Sequence, residues 1–202
     1  MLNTKVARAL RQAALLREKV VVVRLSSAAI TPSTADALAG DMALLRSLDV
    51  RLAVLCDQAS TAATLRLQAA IGRHGGRAIV VHASGLASLQ QIPHATARRP
   101  VATVVTFDPV ALLQLCTLQH VPIVISPLLD ADGDSIAVCG DEIAHAMARS
   151  MGAVAIVCVG EPPATLTSPF VVAGPPVRVV HVPEVLQHLI LASLLAETTE
   201  TP

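Results

Sequence analysis

Two hydrophobic periods alternate along this chain. Short continuous apolar runs occupy Val20–Leu25, Val50–Cys56, Ala78–His82, Val121–Leu128, Ala153–Val159 and Val177–Val182. Runs of that kind, rich in β-branched residues, are strands covered on both faces, as in a parallel sheet. Between them the spacing changes to three and four. Leu38, Met42, Leu45 and Leu48 mark one face of a helix after Pro32, with Ser33 or Thr34 as its cap and Asp36 in its first turn. A second helix is expected from about Ser60 to Arg73, ending on Gly72 and Gly75-Gly76. A third, opened by Asp108-Pro109, carries Leu112, Leu113, Leu115 and Leu118; a fourth covers Asp141–Ser150 and a last one Glu184–Leu195. Gly85–Pro100, polar and holding Arg98-Arg99, reads as a surface connection. Glu161–Pro176, with five prolines, reads as irregular, and the tail ETTETP as frayed. Six strands alternating with helices predict an α/β fold: one domain over residues 1–202, three-layer αβα, doubly wound, with a mostly parallel sheet. Pro122 is expected at the start of its strand, where a missing N–H costs least.

Composition narrows the possibilities. The chain has 202 residues, 53 % of them hydrophobic, and a mean hydropathy of +0.62. No run reaches the roughly 18 consecutive apolar residues that a membrane span needs, and buried strands account for the apolarity. Fifteen basic residues balance fifteen acidic ones, so the net charge gives no footprint for nucleic acid. Phe107 and Phe170 are the only aromatic residues, which leaves no platform for stacking bases. Cys56, Cys116, Cys139 and Cys158 are isolated in apolar runs, the pattern of small buried hydrophobes in a reducing compartment. The first nineteen residues hold four basic groups before Glu18, as a transit peptide would, while leucines 10, 15 and 16 fit a helix leading into the first strand. The compartment expected is therefore intracellular: the mitochondrial matrix in a eukaryote, the cytoplasm otherwise.

Phe107-Asp108-Pro109, His120-Val121-Pro122-Ile123-Val124-Ile125-Ser126-Pro127, Asp132-Gly133-Asp134 and Gly140-Asp141, together with Arg73-His74-Gly75-Gly76-Arg77-Ala78, resemble the amino-acid kinase family, and within it the N-acetylglutamate kinases. The likeness runs from about Ala7 to about Leu195, with one internal gap and a shortened C-terminal part. It implies a carbamate kinase-like αβα fold, a helix at Met1–Lys19 ahead of strand one, and ancestry in ATP-dependent phosphoryl transfer to a carboxylate.

The same resemblance implies where the chemistry should stand. Phosphoryl transfer needs backbone N–H groups and lysines around the β- and γ-phosphates. In the family, glycine turns after strands one and two supply them; here those positions read Arg24-Leu25-Ser26-Ser27 and Asp57-Gln58-Ala59. Side chains there obstruct the close backbone approach a phosphate requires. Lys5 and Lys19 are the only lysines, and neither follows a strand. Arg24 is not a substitute for a lysine point charge. Asp141 alone survives of the family's motif before the core helix, and by itself an acid there caps or stabilises the first turn. Gly160-Glu161-Pro162-Pro163 and the rest of the proline-rich segment replace the nucleotide lid. Arg24 and Asp141 are thus vestigial catalytic positions, and Ser26, Ser27, Asp57 and Gln58 vestigial nucleotide positions.

Other sites are weaker still. Asp130, Asp132, Asp134 and Asp141 approximate a calcium loop but lack its glycine and bidentate glutamate, so a hairpin turn is expected and no metal. His82, His94, His120, His145, His181 and His188 show no ligand spacing, and Ser26-Ser27 has no triad. The expectation is a non-catalytic N-acetylglutamate-kinase-like pseudoenzyme without cofactor, acting as a structural or interaction subunit of a larger assembly or homo-oligomer. Met1–Lys19 and Glu161–Pro176 are its expected contacts. The alternatives are a regulator binding an amino acid or nucleotide and, last, an active acylamino-acid kinase.

Overall fold

A computed structural model describes residues 15–57, 60–92, 101–129, 133–136, 138–160 and 177–182. In chain order the strands are β1 (Val20–Ser26), β2 (Arg51–Asp57), β3 (Arg77–His82), β4 (Ala87–Ile92), β5 (Val101–Phe107), β6 (His120–Ile125), β7 (Leu128–Leu129), β8 (Ser135–Ile136), β9 (Ala155–Val159) and β10 (Arg178–Val182). The helices are α1 (Pro32–Ser47), α2 (Thr61–Arg73), α3 (Val110–Thr117) and α4 (Gly140–Ser150). The six expected strands form one sheet in the order β10-β9-β1-β2-β6-β3, and every pairing in it is parallel.

Helices cover both faces of this sheet. Side chains of a strand alternate between faces, so β1 divides its own residues between two cores. Val21, Val23 and Leu25 pack with Leu38, Met42 and Leu45 of α1 and Leu67 and Ile71 of α2. Val20 and Val22 pack with Leu112 of α3 and Ile143 and Met147 of α4. Arg24 and Ser26 share the parity of Val20 and Val22. The alternation therefore aims a cation and a hydroxyl at the α4 side.

Local rules explain where the elements begin and end. Thr31 caps α1, accepting from the Thr34 N–H while Thr34 Oγ1 accepts from the Thr31 N–H; Pro32 follows as the first helical residue. The cap is thus two or three residues ahead of the expected Ser33 or Thr34, because proline fits best just inside a helix start. Ser60 caps α2, and Gly75, at φ 75°, turns the chain into β3. Asp108 Oδ1 accepts the Val110 N–H at the head of α3. Leu118 lies past the end of that helix and is 66 % exposed, so it does not join the buried face expected for it.

Two further segments depart from expectation. Ala87–Ile92 is not a surface connection: it pairs antiparallel with β5, and Val104 and Phe107 of that hairpin enter the α4-side core. Its polar residues hid the ribbon, since an antiparallel pair needs only one apolar face. The run Val121–Leu128 is also two strands. The parallel ladder stops at Ile125, and after Pro127 the chain forms the short antiparallel pair β7–β8. Pro122 is the third residue of β6 and not its first. It sits opposite Ile79 of β3, while pairing with β2 begins only at Ile123, so no ladder bond to β2 is lost.

Candidate functional site

The C-terminal ends of β1 and β2 and the first turn of α4 converge on one guanidinium. Arg24 is 5 % exposed. Its Nη2 donates to Asp57 Oδ2 at 3.2 Å, and its Nε lies 3.2 Å from Asp141 Oδ1. The second contact is an ion pair without the linear alignment of a hydrogen bond. Register explains the first: Ser26 pairs with Asp57, so Asp57 stands diagonally across from Arg24 on the same face. Asp141 descends from α4, where it is the second helical residue.

Asp57 is also held from the other side. Ser126 Oγ donates to its Oδ1 at 3.2 Å. Gly140 opens α4 directly against the carboxylate; a Cβ on Gly140 would fall inside the Asp57 side chain. Asp57 therefore places its charge at a helix N-terminus, where exposed N–H groups and the macrodipole favour an anion. Glycine at 140 is demanded here by space and not by backbone conformation. Asp57, Arg24, Ser126 and Gly140 together make a small anion cradle already filled by the chain's own carboxylate.

The neighbours add no reactive group. Cys158 is the register partner of Arg24 on β9. Burial, reinforced by Asp141 and opposed by Arg24, pushes its thiol up to about 11, so it stays protonated near neutrality. Burial lifts Cys56 to about 12 and Cys116 to about 11. Cys139, immediately before α4, is exposed, unlike the buried position expected of it. His145, on α4, is half-buried; burial first, then Arg149, lower its pKa against the pull of Asp141. Ser26 is buried, and its hydroxyl has no hydrogen-bond partner among the described residues. Gly160, at φ 92°, packs against that hydroxyl so closely that a Cβ could not be accommodated.

The structure thus brings Arg24, Asp57 and Asp141 into contact and leaves Ser26 beside them. Ser27 starts a short 3-10 turn, Ser27–Ala29, where the family has glycines; Gln58 lies outside the described residues. Lys19 precedes β1, at the opposite end of a seven-residue strand and so roughly 20 Å from the cluster. Ser126, Gly140 and Cys158 were missed as members of this site. Gly140 had a legible signal, a glycine directly before the surviving Asp141. Among the described residues no three His, Cys, Asp or Glu side chains gather as a metal would need, and no helix is long and apolar enough to cross a membrane. Asp130, Asp132, Glu161–Pro176 and residues 1–14 lie outside the described residues. Of the N-terminal segment, Leu16 packs on the α1-side core and Arg17 pairs with Asp49 at 3.1 Å.

No known family profile matches the sequence, and no curated protein matches it. Solved structures do. N-acetylglutamate synthase from Neisseria gonorrhoeae, complexed with coenzyme A and N-acetylglutamate, superposes with a TM-score of 0.63 at 15 % identity over 79 % of this chain. The match covers 46 % of the synthase, so this chain spans less than half of that protein's length. The fold is amino-acid kinase-like. Isopentenyl phosphate kinase gives 0.58 at 12 % identity, covering 88 % of this chain and 97 % of its own. Aspartate kinase from Synechocystis gives 0.52 at 12 % identity, over 72 % of this chain and 29 % of the kinase. Identities this low relate the chains by fold, with activity left to the residues themselves.

Proposed function

We propose that this chain is a non-catalytic amino-acid-kinase-like domain that serves as a structural or interaction subunit of a larger protein assembly. The observation that carries the reading is the Asp57 carboxylate. It occupies the helix N-terminus of α4 and holds Arg24, the one cation at the strand ends among the described residues. A phosphoryl group approaching this point meets two carboxylates and a guanidinium already engaged by both. Transfer catalysis needs donors aimed at the charge that develops, and each lost donor costs orders of magnitude in rate.

Closure of this kind stabilises shape instead of turnover. A regulator binding a nucleotide would need the same cradle open. Purified protein heated with and without saturating Mg-ATP tests the proposal. A site filled a hundredfold over its Kd adds about 2.7 kcal/mol of stability. No shift and no phosphotransfer to N-acetylglutamate above background are expected. A clear upward shift without turnover would establish the ligand-binding regulator instead, and turnover abolished by Arg24→Ala would establish the kinase.

A further inference from the structure

β3 is an outer strand of the sheet and, among the described residues, pairs only with β6. Every second residue of such a strand turns its N–H and C=O outward, which makes an edge a template for another strand. Gln68 of α2 covers one of these groups, donating from Nε2 to the Ala78 carbonyl at 2.9 Å. Beside it runs a groove of ≈ 480 Å³ between helix and strand, with Thr64 and Leu65 on one wall and Ile79, Val80 and His82 on the other. Leu65 is 54 % exposed and Ile79 36 %. Leu65 thus leaves a large apolar side chain in water beside Val80 on the α2 face, while Ile79 is exposed on the opposite face of the same strand.

Charge identifies what fits it. Between Asp57 and Asp108 the sequence contains no aspartate or glutamate, yet Arg66, Arg73 and Arg77 lie in α2 and β3. Arg73 is compensated by Asp36 of α1 at 3.0 Å. Arg66 donates from Nη1 to the neutral Ile30 carbonyl at 3.3 Å, and it meets no carboxylate among the described residues. Arg77, exposed at the head of β3, meets no carboxylate among the described residues. Two copies meeting at this edge would oppose like charges, which disfavours a self-pairing. Bases would find no aromatic side chain in α2 or β3 on which to stack.

We propose that the β3–α2 edge is the docking site for an acidic, extended segment of a partner protein. The segment adds a strand to β3, sets its apolar side chains against Leu65 and Val80 on the α2 face, and turns the intervening carboxylates toward Arg77 on the other face. Main-chain bonds supply affinity in such strand addition, and the groove and the charges supply selectivity. The inference rests on the interaction-subunit reading and names the chemistry of its partner.

The test uses the full chain and two short labelled peptides, one alternating glutamate with valine and one alternating lysine with valine, followed by fluorescence anisotropy. The glutamate peptide is expected to bind and the lysine peptide not. Binding should weaken as salt is raised, and by about tenfold in Arg77→Glu, the order of effect of losing one close charge pair. Leu65→Glu, on an exposed helix position, provides a second variant if the first fails to fold, and it too should weaken binding. Binding of neither peptide, equal binding of both, or tighter binding of a single-stranded oligonucleotide would overturn the proposal. So would light scattering that shows a dimer of this chain split by Arg77→Glu. The Mg-ATP measurement is independent, so failure of the peptide with no nucleotide shift sinks this inference alone.

Discussion

The strand-end cluster and the β3 edge lie in the same sheet and treat charge in opposite ways. At the cluster one arginine faces two aspartates, a serine hydroxyl donates to one of them, and a glycine makes room for the same carboxylate at a helix end. At the edge an exposed arginine stands beside a groove and meets no carboxylate among the described residues. The first region has internalised its counter-charges; the second leaves its own to be supplied from outside. Of the two regions, the strand-end cluster is therefore the closed one. On the proposal made above, recognition falls to the rim of the sheet.

The largest effect should come from breaking the cluster. Arg24→Met leaves two buried carboxylates facing each other, and removing one partner of a buried pair typically costs 3–5 kcal/mol. For a chain of this size that corresponds to a fall in Tm of roughly 6–20 °C. Adding Asp57→Asn and Asp141→Asn to the same variant should restore most of the loss, because no charge is then stranded. Calorimetry that finds the single variant within about 1 kcal/mol of the parent would show the cluster to be wet and loosely held.

The next effect tests the cradle itself. Gly140→Ala forces a methyl group into Asp57, an overpacking worth about 1–3 kcal/mol. Asp57→Gly removes the obstruction, so the two changes together should cost less than their sum. Denaturant titration of the four proteins measures that coupling, and strict additivity would mean that Gly140 and Asp57 do not touch.

The sheet was legible because continuous β-branched runs bounded by turn residues admit few other structures. The Ala87–Ile92 strand was not, since Ser88, Gln90 and Gln91 mimic a loop until their partner Val101–Phe107 is known. At the site, Arg24, Asp57 and Asp141 could each be named from the resemblance, but not their mutual contact. That contact depends on a two-residue diagonal in the β1–β2 register and on where α4 begins. Neither is encoded locally: β1 and β2 are more than twenty residues apart, and α4 is more than a hundred residues from Arg24. The β3 edge was invisible for a related reason, because edge status belongs to strand order and not to the strand. The missing carboxylates between residues 57 and 108 were in plain view, yet acquired meaning only when β3 proved to be outermost.

A smaller effect would convert one region toward the other. Asp57→Ala vacates the helix end while leaving Arg24 paired to Asp141. The variant should then take up inorganic phosphate, which the parent excludes. At tenfold over its Kd, phosphate would add about 1.4 kcal/mol of stability to the variant alone. Equal phosphate dependence of Tm in the two proteins would show that Asp57 is not what closes the cradle.

The smallest effect concerns the arginine that separates the two regimes on α2 itself. Arg73 donates from Nη2 to Asp36 at 3.0 Å, and His74 Nε2 lies 3.4 Å from the same oxygen. The Arg73 hydrogen bond, more than any other contact, holds the Asp36 carboxyl below its ordinary value; desolvation pulls the other way, and His74 adds to the lowering. A carboxyl whose pKa is lowered by folding binds fewer protons in the native state than in the unfolded one. Its contribution is therefore present above the ordinary aspartate value of about 4 and disappears as pH falls through the depressed one. Both side chains are exposed, so the effect is small and screened by salt. Tm curves for the parent and Arg73→Ala should accordingly run slightly apart from pH 7 down to about 4 and merge below it. A gap that persists unchanged into strong acid would mean that Arg73 acts through packing on α1, and the contrast drawn between Arg73 and the uncompensated Arg77 would lose its basis.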